Sequence, residues 1–91
     1  MLHIVKTLQA LEDASQYSGA NDEWLLIEEA VYAANPLHRD FHFLKEKQVS
    51  VLEADVVARG MNNRLSPSVT LVDYSGFVRL TAAHPQTLTW D

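Results

Sequence analysis

The stretch Glu23–Ile27, EWLLI, decides the fold. Four apolar side chains follow one acid without a polar break. The run lies between the turn cluster Ser18-Gly19-Ala20-Asn21-Asp22 and the acid pair Glu28–Glu29. A strand with one wet face alternates apolar and polar residues, whereas a strand covered on both faces has no need to alternate. A run this short, bounded by turn residues, predicts a strand inside a sheet that is covered on both sides. Crossover helices supply such cover, so helices should flank it in the sequence.

The flanking segments carry that pattern. Leu2–Val5 predicts a first strand, and Leu8, Leu11, Ala14 and Tyr17 mark a helical face over Thr7–Tyr17. Glu28–Ala34 predicts a short helix closed by Asn35-Pro36. LHRDFHFLKEK, Leu37–Lys47, predicts a loop with a short helix. Val49–Leu52 predicts a strand and Glu53–Arg59 a helix, with Gly60 just past its end, where glycine accepts the left-handed conformation. After the loop Asn62–Ser68 comes a strand, Val69–Val72. Asp73 is placed to cap the next helix, which carries Tyr74, Phe77, Val78 and Thr81 on one face and closes at His84-Pro85. Leu88–Trp90 predicts a small final strand. Strands alternating with helices give an α/β fold with a mostly parallel sheet of four to five strands. The length, 91 residues, implies one domain over 1–91. So few helices cover a two-faced sheet thinly, which points to neighbours in an assembly.

Composition excludes several function classes. An apolar fraction of 47% with 21% charged residues rules against a disordered chain. Twelve acids against seven bases leave a net charge of −5, and no basic run occurs, which disfavours independent binding to a phosphate backbone. There is no cysteine, so disulfides, thiolate metal sites and thiol chemistry are all removed. The start, MLHIVKTLQALEDASQ, lacks the pattern of a signal peptide. No run approaches the ~20 apolar residues of a membrane span. The expected location is cytoplasmic, away from any membrane.

Candidate chemistry is sparse. His38 and His42 have the i, i+4 spacing of helical metal ligands, but no third ligand follows from the spacing, and solvated or interface histidines are the plainer reading. Ser66, Ser68 and Ser75 lack a G-x-S-x-G elbow and read as turn and capping hydroxyls. The three glycines, Gly19, Gly60 and Gly76, are too far apart for a phosphate loop, so no nucleotide cofactor is expected. Glu28 and Glu29 adjoin a strand end where α/β sheets place ligands, yet adjacent residues point apart there. DYSGFVRLTAAHP, Asp73–Pro85, gathers an acid, a phenol, a hydroxyl, a guanidinium and an imidazole. On one helix these do not converge, so the stretch reads as a capped amphipathic helix whose aromatic face packs on the sheet or on a neighbouring subunit. For contacts with partners the first candidates are Tyr32, Tyr74, Phe77 and Trp90, with Arg59, Arg64 and Arg79 for charge-assisted contacts and Asp73 beside them.

The blocks MLHIV, WLLIEEAVYAA, VLEADVVARGM, NNRLSPSV and TLVDYSGFVRLTAAHP, with the late Trp90, resemble the TusB/DsrH family over most of the chain. The resemblance implies a small three-layer Rossmann-like (DsrE/DsrF/DsrH-like) domain. It implies a subunit of a heterohexameric sulfur-relay complex, assembled with TusC-like and TusD-like chains. Sulfur would arrive as persulfide from a cysteine desulfurase through a small sulfur carrier. It would leave through a TusE-like protein toward 2-thiolation of the tRNA wobble uridine, so that tRNA is a partner only indirectly. Relatives in sulfur-oxidising bacteria can carry a cysteine in this subunit, and this sequence has none. Persulfide transfer needs a thiolate to attack and hold the sulfane sulfur; the thioethers of Met1 and Met61 cannot serve. A noncatalytic subunit without cofactor or metal is therefore expected, with the reactive cysteine on the TusD-like chain. The alternatives are a DsrH-like subunit of a dissimilatory sulfur-oxidation complex, a small stand-alone hydrolase using Asp73, Ser75 and His84 or the Glu28–Glu29 pair, and a metal-binding module at His38 and His42.

Overall fold

Every strand of the sheet runs in the same direction, and the order of the strands determines which face each helix covers. The computed structural model describes residues 1–91. In chain order the elements are β1 (Leu2–Val5), α1 (Ala10–Tyr17), β2 (Glu23–Leu26), a 3₁₀ segment (Glu28–Ala34), a second (Phe41–Leu44), β3 (Gln48–Leu52), α2 (Glu53–Ala58), β4 (Thr70–Val72), α3 (Tyr74–Ala83) and β5 (Thr87–Trp90). The sheet order is β4-β3-β2-β1-β5, with all four pairings parallel. The chain steps outward from β1 to β4, then returns across the sheet to place β5 beside β1. Crossovers between parallel strands are right-handed, so reversing the direction of travel reverses the face.

The packing follows. On one face Val5, Trp24, Leu26, Val49 and Val51 join α1, both 3₁₀ segments and α2 in a core of 15 buried residues. On the other, Leu2, Ile4 and Leu25 meet Phe77 and Leu80 of α3 alone. The strand expected from EWLLI is the middle one, and Trp24, Leu25 and Leu26 are all buried. The three-layer α/β arrangement stands, with five strands and very unequal outer layers.

Local chemistry sets most boundaries. Asp73 is extended, and its Oδ1 accepts from Gly76 N–H at 2.8 Å, capping α3. At the end of α2, Met61 N–H donates to the Val56 carbonyl at 2.9 Å and Gly60 N–H to that of Val57 at 3.1 Å. With Gly60 at φ +66 and Met61 and Val56 both buried, this is a Schellman closure.

Three expectations are corrected, and the short helix expected over Glu28–Ala34 is made more specific. The first helix starts at Ala10 rather than Thr7, because Thr7 Oγ1 accepts from Ala10 N–H and acts as a turn cap. Glu28–Ala34 is a 3₁₀ helix, with Ala30 N–H reaching back to Ile27 and Asn35 N–H to Tyr32. Glu28 enters it at φ +50, which opens no α turn. Val69 belongs to a turn, since its N–H is held by the Ser66 carbonyl, and β4 begins at Thr70. On α3 the residues that meet the sheet are Gly76, Phe77 and Leu80, while Tyr74 and Val78 point outward, 75% and 46% exposed. The helix is rotated because Gly76 lies against Val72, where no side chain fits.

Candidate functional site

Open parallel sheets place ligands at the carboxyl ends of their strands, where the strand order reverses. Here that point lies between β1 and β5, beside Lys6 and Asp91. Lys6 Nζ is 3.3 Å from Asp91 Oδ1 and 3.7 Å from Glu28 Oε2. Asp91 chiefly, with Glu28, raises the Lys6 ammonium above its ordinary range. Asp55 Oδ2 accepts from Glu28 N–H at 2.7 Å, and Arg59 lies 3.5 Å from the other oxygen of Asp55. Glu29 Oε1 accepts from Leu8 N–H at 3.2 Å. Glu28 and Glu29 therefore turn to different partners. Glu29 also occupies a donor in the β1–α1 loop, where nucleotide-binding folds hold a phosphate.

The Asp73–Pro85 constellation does not converge. Asp73 caps the first turn of α3, and His84 follows its last residue. The helix has ten residues, about 15 Å at roughly 1.5 Å each. His84 Nε2 pairs with Glu23 at the start of β2, and Ser75 is exposed at the Asp73 end. Ser66 and Ser68 bond each other, Oγ to Oγ at 2.7 Å, and Ser68 N–H donates to Ser66 Oγ. These are turn hydroxyls with neither acid nor imidazole. His38 Nδ1 accepts from Asp40 N–H at 3.1 Å, and His42 Nδ1 lies 2.9 Å from the Arg39 carbonyl. No three His, Asp or Glu side chains gather in a metal-holding arrangement.

The contact candidates fall into separate groups. Asp73, Tyr74, Phe77 and Arg79 share α3, and the rings of Tyr74 and Phe77 stack at 6.1 Å. Asp73 and Arg79 also line a groove of about 400 Å³ with Glu53, Thr70, Leu71, Val72 and Gly76. This is the part of the sheet that α3 leaves uncovered. Arg59 lies at the carboxyl edge with Asp55. Arg64 is exposed in the α2–β4 loop, and Tyr32 is exposed on the first 3₁₀ segment. Trp90 is on the far edge strand, half-buried against the large core. Two exposed apolar residues escaped the sequence reading, Leu71 (46%) in the groove lining and Val57 (55%) on α2. Leu71 is outward because β4 is an edge strand, and strand order has no signature in local composition.

A polar network inside the fold was also missed. His3 is fully buried, with Nε2 2.7 Å from Asp22 Oδ2 and Nδ1 3.1 Å from Trp90 Nε1. Asp22 also accepts from Gly19 N–H at 2.9 Å and from the Met1 ammonium at 3.2 Å. The Gly19 N–H first, then His3 and the ammonium, hold the Asp22 carboxyl down at about 2. The residues are 87 positions apart in sequence at their widest, so no motif could reveal them.

The fold and surface define a small, doubly wound parallel α/β domain with lopsided helical cover, exposed apolar residues at one sheet edge and no thiol. Comparison with known proteins narrows this. Residues 6–87 match the family model described as DsrH like protein, and the chain belongs to that family. It is 38% identical over 71 residues to Protein TusB of Escherichia coli K12, covering 76% of this chain and 75% of that one. It is 41% identical over the same length to Protein TusB of Pectobacterium carotovorum, with the same coverage. The crystal structure of the YchN protein from Escherichia coli superposes with a TM-score of 0.72 over 97% of both chains, at 17% identity, which establishes a shared fold.

Proposed function

We propose that this chain is a noncatalytic subunit of a sulfur-relay complex that passes persulfide sulfur toward 2-thiolation of the tRNA wobble uridine. The observation that carries the reading is a member of the DsrH-like family without a single cysteine. Sulfane sulfur moves between thiolates, so the thiolate must stand on a companion chain. The complex is a cytoplasmic heterohexamer with TusC-like and TusD-like subunits, served by a sulfur carrier and a TusE-like protein, and it meets tRNA only indirectly. The groove beside α3, with Asp73, Tyr74, Phe77 and Arg79, is the first seat for a partner subunit. Tyr74 and Arg79 support that placement, since Tyr and Arg side chains concentrate at the energetic centres of interfaces, and exposed Leu71 adds apolar surface to the groove. Tyr32, Arg59, Arg64 and Trp90 are the further contact candidates. The test is a deletion strain: wobble 2-thiouridine should disappear and return with the wild-type gene, and the tagged chain should co-purify with the other two subunits. Normal thiolation after clean deletion refutes the reading, and a defect in sulfur oxidation instead would assign the chain to that pathway.

A further inference from the structure

The His3 network is organised so that one proton decides it. An indole nitrogen only donates, so His3 Nδ1 must accept from Trp90 Nε1–H. His3 then carries its proton on Nε2 and donates it to the Asp22 carboxylate. With Asp22 held at about 2, this partner is an anion at every physiological pH. A second proton on the ring can go only to Nδ1, where it would face the Trp90 N–H, donor against donor. The ring has no exposed edge through which to turn away.

The groups around the imidazole come from every neighbouring element. The turn before β2 contributes Asp22, with the Met1 ammonium on its other oxygen. α1 contributes the Tyr17 ring, edge-on at 6.0 Å to His3 and 5.7 Å to Trp90. β2 contributes Trp24 at 6.3 Å, with the Lys47 ammonium 5.3 Å above the Trp24 ring. β5 contributes Trp90 itself, at 6.1 Å between rings. Of these groups Trp90 alone stands on an edge strand. β5 is an edge strand paired only with β1, and Trp90 is its last residue. His84, on the α3–β5 connection, pairs with the Glu23 carboxylate and takes no part in the His3 network.

We propose that His3 is a proton-operated latch: its neutral ring holds the Trp90 side chain on edge strand β5, and its protonated ring lets that side chain go. Acid thereby loosens the Trp90 side chain while the backbone of β5 stays paired with β1, Lys6 N–H donating to the Trp90 carbonyl at 2.9 Å. This device is independent of the sulfur-relay reading and survives or fails without it.

The test follows the indole N–H of Trp90 by NMR in the full chain from about pH 8 to about pH 5, the range in which imidazoles change charge. Trp90→Phe assigns the resonance. The indole proton of Trp24, which has no side-chain or backbone partner, is the internal comparison. Because indole exchange is itself slower at lower pH, protection is taken relative to the intrinsic rate at each pH, and that of Trp90 should fall about tenfold or more at the acid end, in step with the second proton on His3. His3→Asn puts a carbonyl oxygen near the position of Nδ1 and cannot charge, so Trp90 should stay protected at both ends. Should that variant not fold, Trp90→Phe serves alone. It removes the opposing donor, so His3 should charge at a higher pH than in the parent. Equal Trp90 protection with His3 charged, a His3 that stays neutral throughout, or an unmoved His3 titration in Trp90→Phe overturns the latch.

Discussion

Replacing Gly76 with alanine sets two effects of opposite sign against each other, and the structure says which wins. A glycine inside a helix normally costs about 1 kcal/mol relative to alanine, so Gly76→Ala on an isolated α3 would stabilise it by that amount. In the fold, a β-carbon at position 76 would lie 2.9 Å from Val72 Cβ and 3.4 Å from Val72 Cγ1. Atoms do not approach so closely without something moving. The obstructing atom is a β-carbon fixed to strand β4, not the tip of a flexible side chain, so α3 itself must shift. Overpacking of this kind costs about 1–3 kcal/mol. The net expectation is a loss of about 1 kcal/mol, with a range from about zero to 2. Urea unfolding followed by circular dichroism reads it directly. With a slope of about 2 kcal/mol per molar, typical of a small domain, the midpoint should fall by about 0.5 M. A rise of similar size would show that α3 behaves as a free helix, and the argument that Gly76 sets its distance from the sheet would be wrong.

Three other outcomes follow from the same contacts. Asp73→Ala removes the acceptor of the Gly76 N–H and should cost about 1 kcal/mol, while Asp73→Ser keeps most of it; equal stability of all three chains in urea would dismiss the cap. Leu26→Ala, at a fully buried position in the middle strand, should cost about 2–5 kcal/mol and threaten folding of so small a domain, whereas Leu37→Ala, 91% exposed, should stay within about 0.5 kcal/mol; similar thermal midpoints would contradict the burial pattern. For acid, Asp22 is lowered from 3.8 to about 2 in the folded chain, so the unfolded chain takes up the proton first as pH falls. Its stabilisation is complete above about pH 4 and is lost toward pH 2, and Asp22→Asn should flatten that part of a stability–pH curve; an unchanged acid limb would refute the pairing.

What was legible in the sequence was whatever depends on neighbours along the chain. EWLLI announced the buried middle strand because burial on both faces leaves no polar position. Asp73 announced a cap and Gly60 a left-handed closure because each acts on backbone groups within three or four residues. The missing thiol was also complete in the sequence, since no fold can create one. The 3₁₀ form of Glu28–Ala34 was not legible, because the Asp55 carboxylate that engages Glu28 N–H comes from α2, 27 positions on. The late start of α1 depended in part on Glu29, whose carboxylate occupies the N–H of Leu8 from 21 positions away.

The sequence by itself determined the class of fold, the element types at most positions and the absence of a cysteine, because periodicity, capping and composition are local or additive properties. Only the tertiary structure decided which strands are edges, that α3 alone covers one face, that Tyr74 and Val78 point outward, and that His3, Asp22 and Trp90 meet. Those depend on strand order and on the direction of the last crossover, which bring together residues that the chain keeps far apart.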